Sequence, residues 1–272
     1  MVSAHMRIIK RSALFLFIAI IIILNNYNCL LYCEVDWQEH STDHFIIYYH
    51  KQIPQDYIKE VAAKAEEYYQ SIAENLGFNL YEFWLWDNRA KIYIFKDAKE
   101  YRQETSDPYW SGGNVSIRRK IIKTYPWAEG FSDRLLPHEL GHIMFREFVG
   151  FKNNVPLWLD EGVATLQEKA DIKNNSIIMK KLLRKTIPIP IRKLTRITQR
   201  TLIVPEVFYP QSASIVDYLL SQFGKERFVK FCKYLEDGSH FEKAIASAYN
   251  FNDLMQLEKA WIEYLKNLKD NN

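Results

Sequence analysis

Cysteine is scarce in this chain of 272 residues, where only Cys29, Cys33 and Cys232 occur. Three thiols, two of them in or beside one apolar amino-terminal run, cannot make a disulfide framework. Cys232, between Phe231 and Tyr234 on an amphipathic stretch, reads as a buried thiol. Acidic residues are absent from the first 28 positions, where Arg7, Lys10 and Arg11 stand. These three bases account for the whole net charge of +3, because removing them from 36 Lys and Arg leaves 33, against 33 Asp and Glu. The remainder is charge-balanced, which argues against nucleic acid as a partner. Long apolar runs are lacking too, apart from the one that spans Ala13 to Leu24, and no internal repeat is found. What is present, 48% apolar residues, suffices for one two-lobed globular domain with a sizeable core.

The apolar run follows the three bases, an order that reads as an export signal. Its length suits a signal peptide and is short for a full membrane span. No Ala-x-Ala-like cleavage site follows, since Asn25-Asn26-Tyr27-Asn28-Cys29-Leu30-Leu31-Tyr32-Cys33 offers only Cys as a small residue. Residues 1–33 are therefore read as either a cleaved signal peptide or a retained membrane anchor through residues 13–33. In both cases the bases stay inside and the rest of the chain is extracytoplasmic, secreted or tethered to the membrane.

The segment His138-Glu139-Leu140-Gly141-His142 carries the chemistry. On a helix, residues four apart share a face about 6 Å apart along the axis, so His138 and His142 can aim two imidazoles at one ion. Glu139 lies beside that face, where it can take a proton from a metal-bound water without being a ligand. Gly141 would let a neighbouring segment approach the helix closely. A catalytic zinc ion needs a third protein ligand, and a second segment must fold back to provide it. The helix is expected to run to Gly150, with a turn at Lys152, Asn153 and Asn154 and a new helix opening at Pro156. Glu161 then stands about level with His142 and is the expected third ligand; Asp160, Glu147 and Glu168 are its competitors. Asp160 is also a candidate to orient a ligating imidazole, or else a surface acid.

These residues resemble the gluzincin branch of the MA-clan zinc metallopeptidases, in which H-E-x-x-H is followed by Glu on the next helix. Leu136-Pro137 before the motif and Trp158-Leu159-Asp160-Glu161-Gly162 after it look closest to the small peptidase-MA-like domains. The likeness extends to His44-Phe45-Ile46-Ile47-Tyr48-Tyr49, to Tyr209-Pro210-Gln211-Ser212 and to Glu258-Lys259-Ala260-Trp261, covering about residues 36 to 268. It implies hydrolysis of peptide or protein substrates with one Zn2+ ion held by His138, His142 and Glu161, Glu139 as general base, and a Tyr or His donor to the oxyanion. Tyr209 is the candidate donor and His240 the weaker one. The rival reading is an exported zinc-containing peptide-binding or scaffold domain without turnover, against which the uncoordinated base Glu139 argues. An intramembrane protease is excluded by the single apolar run.

The expected fold class is α+β: a zincin-like α/β amino-terminal lobe over about residues 36–150 with the active-site helix, then an all-helical lobe over about 156–268, together a domain spanning 34–268. Strands are expected at 44–50, 91–96 and, once or twice, within 114–124; helices at 54–77, 97–103, 176–186, 210–223, 225–236, 241–249 and 252–268. Residues 114–122 are either a substrate-binding edge strand, as in related peptidases, or an ordinary interior strand. The Lys and Arg residues from Lys180 to Arg200 read as a solvated face, and Trp84 and Trp86 as packing residues.

Overall fold

β-branched and aromatic segments buried on both faces build the centre of a mixed sheet. The computed structural model describes residues 37–78, 84–109, 111–151, 155–168, 172–199 and 203–268. Its strands are β1 (Trp37–Ser41), β2 (Phe45–His50), β3 (Ala90–Ile94), β4 (Gly113–Ser116) and β5 (Ile121–Thr124), arranged in the order β1-β2-β3-β5-β4. β2, β3 and β5 are parallel, with Phe45 opposite Ala90 and Ile92 opposite Ile122. β4 runs against β5, with Val115 opposite Ile122. Parallel neighbours need crossovers. α1 (Gln55–Leu76) joins β2 to β3, and α2 (Ala98–Thr105) lies on the way from β3 to β5.

Local signals set these boundaries. α1 stops where Gly77 takes φ 72°, a left-handed value that costs glycine little. Asp97 caps α2 by accepting a 2.8 Å bond from the Glu100 amide. The segment expected at 114–124 divides in two: β4 is the edge strand, whereas β5 is enclosed between β3 and β4. The position at a sheet edge thus belongs to β4 and the interior position to β5. Trp84 is fully buried, but Trp86 is 84% exposed, so only the first is a packing residue. β1 had no counterpart in the sequence reading.

A single wide turn, Phe131–Leu135, precedes the metal-motif helix, with the Leu135 amide bonding back five residues to the Gly130 carbonyl. α3 (Leu136–Val149) follows directly and carries Pro137 in its first turn, where a missing amide leaves no bond unmade. Leu136, Leu140, Ile143, Met144 and Phe145 are fully buried, giving α3 a continuous apolar face. It closes at Gly150, as the sequence leads one to expect. The turn read at residues 152–154 lies outside the described residues. α4 (Leu157–Leu166) starts one residue after Pro156, which sits at its N-cap position. From Trp158 to Leu166 every residue is buried, and a helix enclosed on all sides must be packed between others.

α5 (Ile172–Leu182), α6 (Ile191–Leu194), α7 (Pro205–Phe223), α8 (Lys225–Glu236), α9 (Phe241–Tyr249) and α10 (Leu254–Asn267) complete the α+β fold. α7 begins five residues before Pro210 and carries that proline inside it, although its ring leaves the Glu206 carbonyl without the usual helical amide. α4 packs against α3 on one side and α7 on the other. Gly162 makes the second contact possible, because an added Cβ there would lie 2.6 Å from the Ser212 carbonyl oxygen. The obstruction is backbone, which cannot swing aside. Gly162→Ala gains helix propensity of about 1 kcal/mol but forces α4 and α7 apart. We expect a net loss of roughly 1–3 kcal/mol, read as a lower urea midpoint with an unchanged slope.

Candidate metal centre

The two motif histidines lie on the face of α3 turned towards α4, and Gly141 sets how closely the helices meet. A Cβ at Gly141 would stand 3.0 Å from Ala164 Cα and 3.1 Å from Gln167 Cγ. Glu161, on the returning helix, thereby brings Oε2 to 3.6 Å from His138 Nε2 and 3.5 Å from His142 Nε2. One ligand atom from each of His138, His142 and Glu161 lies within 4.8 Å of the others. Tetrahedral ligands at about 2.0–2.2 Å from zinc stand roughly 3.3–3.6 Å apart, so the two His–Glu separations fit a shared ion.

The outer hydrogen bonds fix which nitrogen of each ring points inward. His142 donates from Nδ1 to Asp160 Oδ1 at 3.0 Å, and His138 donates from Nδ1 to Glu168 Oε1 at 2.8 Å. A carboxylate can only accept, so each Nε2 keeps its lone pair for the centre. Asp160 is held in turn by Arg146, whose Nε lies 2.9 Å from Oδ2. His142 and Glu161 are each 1% exposed, and His142 Nε2 is buried with no hydrogen-bond partner among the described residues. Such an orphaned acceptor beside a buried carboxylate is costly unless a cation binds both. The donor set therefore fits a divalent metal ion.

Electrostatics favour positive charge at the same place. Burial pushes both imidazoles down, but the carboxylates of Glu161 and Glu168 beside His138, and of Asp160 and Glu161 beside His142, outweigh it. His138 is raised from its ordinary value and His142 is pushed up to about 10. The carboxylates thus attract a cation, whether proton or metal.

A cleft of about 430 Å³ opens onto the centre, lined by Arg134, His138, Glu139, Glu161, Thr165, Glu168, Asn175, Tyr209 and Pro210. Glu139 and Tyr209 are both half-buried in this wall, whereas His240 is exposed at the N-cap of α9 and does not line the cleft. The three competitors of Glu161 are otherwise engaged. Asp160 and Glu168 each hold a histidine, and Glu147 pairs at 2.9 Å with the buried Lys120 and accepts from Trp84.

A family model described as the Peptidase MA superfamily matches residues 86–267, a span that contains every residue of the centre. The chain belongs to the Peptidase MA superfamily. Membership makes it, at the coarse level, a peptidase-type hydrolase of a typically metal-dependent group. Comparison with curated proteins finds no match. Sequence reasoning within this superfamily passed over three residues: Glu168 as the partner of His138, Arg146 as the partner of Asp160, and Arg134 in the cleft. Arg146 and Arg134 were findable, each standing four positions from a motif histidine. Glu168 lies two turns from Glu161 but beyond the end of α4 at Leu166, so helical periodicity did not reach it.

The outer carboxylates should matter for metal retention. Zinc affinity, measured by competition with a chromogenic chelator, is expected to fall about 10- to 100-fold in Glu168→Gln and in Asp160→Asn. An unchanged affinity in both would show that the rings are held by packing alone.

Proposed function

We propose that this chain is a zinc-dependent peptidase that cleaves peptide bonds outside the cytoplasm, with His138, His142 and Glu161 holding one Zn2+ ion. The observation that carries the reading is the convergence of those three ligand atoms beside Glu139 in one open cleft. When bound there, the ion would polarise the substrate carbonyl and make a water acidic enough to be activated near neutral pH. Glu139 is the residue placed to take that proton on its carboxylate as the water attacks, and to return it to the departing amine. Its neighbours support the role. Glu139 lines the cleft next to His138 but is not among the converging ligands, so its carboxylate stays available.

Tyr209 supplies a hydroxyl on the α7 wall, where it can donate to the oxygen that becomes negative during attack. β4 supports the placement of an extended peptide. Among the described residues it pairs with β5 alone, so its other edge offers backbone groups of Asn114 to Ser116 for strand addition, the Gly113 carbonyl already accepting from Ser111 Oγ. The apolar run at residues 13–24, read as a signal or anchor, lies outside the described residues, and no described helix is long and apolar enough to cross a membrane.

Purified protein should contain one equivalent of zinc and digest a broad peptide library in a chelator-sensitive manner. Glu139→Gln should keep the metal while kcat falls by about 10²–10⁴-fold, whereas His138→Ala should lose the metal. Full activity in Glu139→Gln would refute the assigned base. Peptide binding without chelator-sensitive cleavage would favour the exported scaffold instead. Tyr209→Phe tests the donor separately: kcat should drop about 10²-fold or more with KM little changed. A rise in KM alone would make Tyr209 a substrate-binding residue and not the donor.

A further inference from the structure

The cleft wall is rich in carboxylates, yet it contains one guanidinium. Arg134 lines the cleft with Glu139, Glu161 and Glu168, but among the described residues none of these oxygens, nor any other carboxylate, lies within ion-pair distance of it. Its neighbour Asp133 is engaged elsewhere, 3.3 Å from Lys64 Nζ. The arginine side chain is exposed and passes beside Gly130. Gly130 has φ 70° and no side chain, and the guanidinium lies over it: an added Cβ would be 3.2 Å from Nη2, 3.4 Å from Nε and 3.5 Å from Cζ. The wide turn from Phe131 to Leu135 carries Arg134 into the same cleft as His138, four positions further on. Asn175, half-buried on α5, adds a neutral amide to the same wall.

A guanidinium presents paired donors that match a carboxylate, and it stays charged at every working pH. Glu161 belongs to the ligand set and Glu168 to His138, so neither is placed to use those donors. We infer that Arg134 is a specificity-determining residue that recognises a carboxylate of the substrate near the bond to be cut. The carboxylate is either the free carboxyl terminus or an acidic side chain, and the inference rests on the peptidase reading for the identity of the cleft. Arg134 is a binding group here and takes no part in proton transfer.

The test uses full-length protein loaded with zinc and three peptide pools of matched neutral sequence: carboxyl-terminal amides, the same peptides with a free terminus, and amides carrying one Glu. Cleavage is followed with the native chain and affinity with Glu139→Gln, alone and combined with Arg134→Gln. At least one carboxylate-bearing pool should bind about 20-fold more tightly than the neutral amides, and Arg134→Gln should bring that ratio close to one. Arg134→Lys, which keeps charge but loses the paired donors, should give an intermediate ratio. Preference for the free terminus alone identifies end recognition; preference for the Glu pool identifies a side-chain subsite. A ratio near one in the parent, or an equal ratio after Arg134→Gln, overturns the inference. Arg134-dependent binding without cleavage by the native chain would sink the peptidase reading alone, cleavage without any carboxylate preference would sink only the Arg134 inference, and no binding of any pool would sink both.

Discussion

Everything at the candidate metal centre depends on three helices meeting more closely than side chains normally allow. At Gly141 the backbone of α3 meets α4, and at Gly162 the backbone of α4 meets the Ser212 carbonyl of α7. Both glycines lie within a residue of a ligand, Gly141 before His142 and Gly162 after Glu161. The spacing between helix axes is thus set where the ligands sit. A larger residue at either place would separate the ligand atoms by distances comparable with the bonds they have to make.

Close packing alone would leave an unfavourable concentration of charge in a dry interior. The structure answers this by giving the acids around Glu161 partners of their own. Asp160 bridges His142 and Arg146, Glu168 meets His138, and Glu147, at the far end of α3, meets Lys120. Removing one member of such a pair strands the other in low dielectric, which is why the pairs hold side chains in fixed orientations more than they add to stability. Orientation is what the centre needs. With Nδ1 of both rings committed to carboxylates, each imidazole has one available tautomer and one direction in which its remaining lone pair can point.

Much of this arrangement was legible in the sequence because glycine, proline and capping residues mark its boundaries. Gly77, Asp97, Gly150 and Pro156 close or open helices where their backbone preferences require. The convergence of His138, His142 and Glu161 followed from helical spacing and a short return. What escaped was whatever local pattern does not encode. β1, Trp-Gln-Glu-His-Ser, has none of the apolar alternation of a strand and exists because β2 offers it a partner. The first turn of α7 was hidden by Pro210, a residue that ordinarily begins a helix. The wide turn at Phe131–Leu135 has no periodic pattern of its own to mark it. Arg134 and Arg146 required knowing that the helical face continues on either side of the metal motif, and Glu168 required a tertiary contact beyond the end of its helix.

The reversed direction of β4 has a consequence for the molecule among its own copies. A sheet border with free amides and carbonyls is a template on which identical chains can stack. Here the border is four residues long, begins with glycine, and runs straight into the short turn at Ile117–Arg119, where Arg118 and Arg119 place two like charges. Two such borders brought side by side would repel before they could zip together. The edge can therefore stay uncovered while discouraging self-association into fibres.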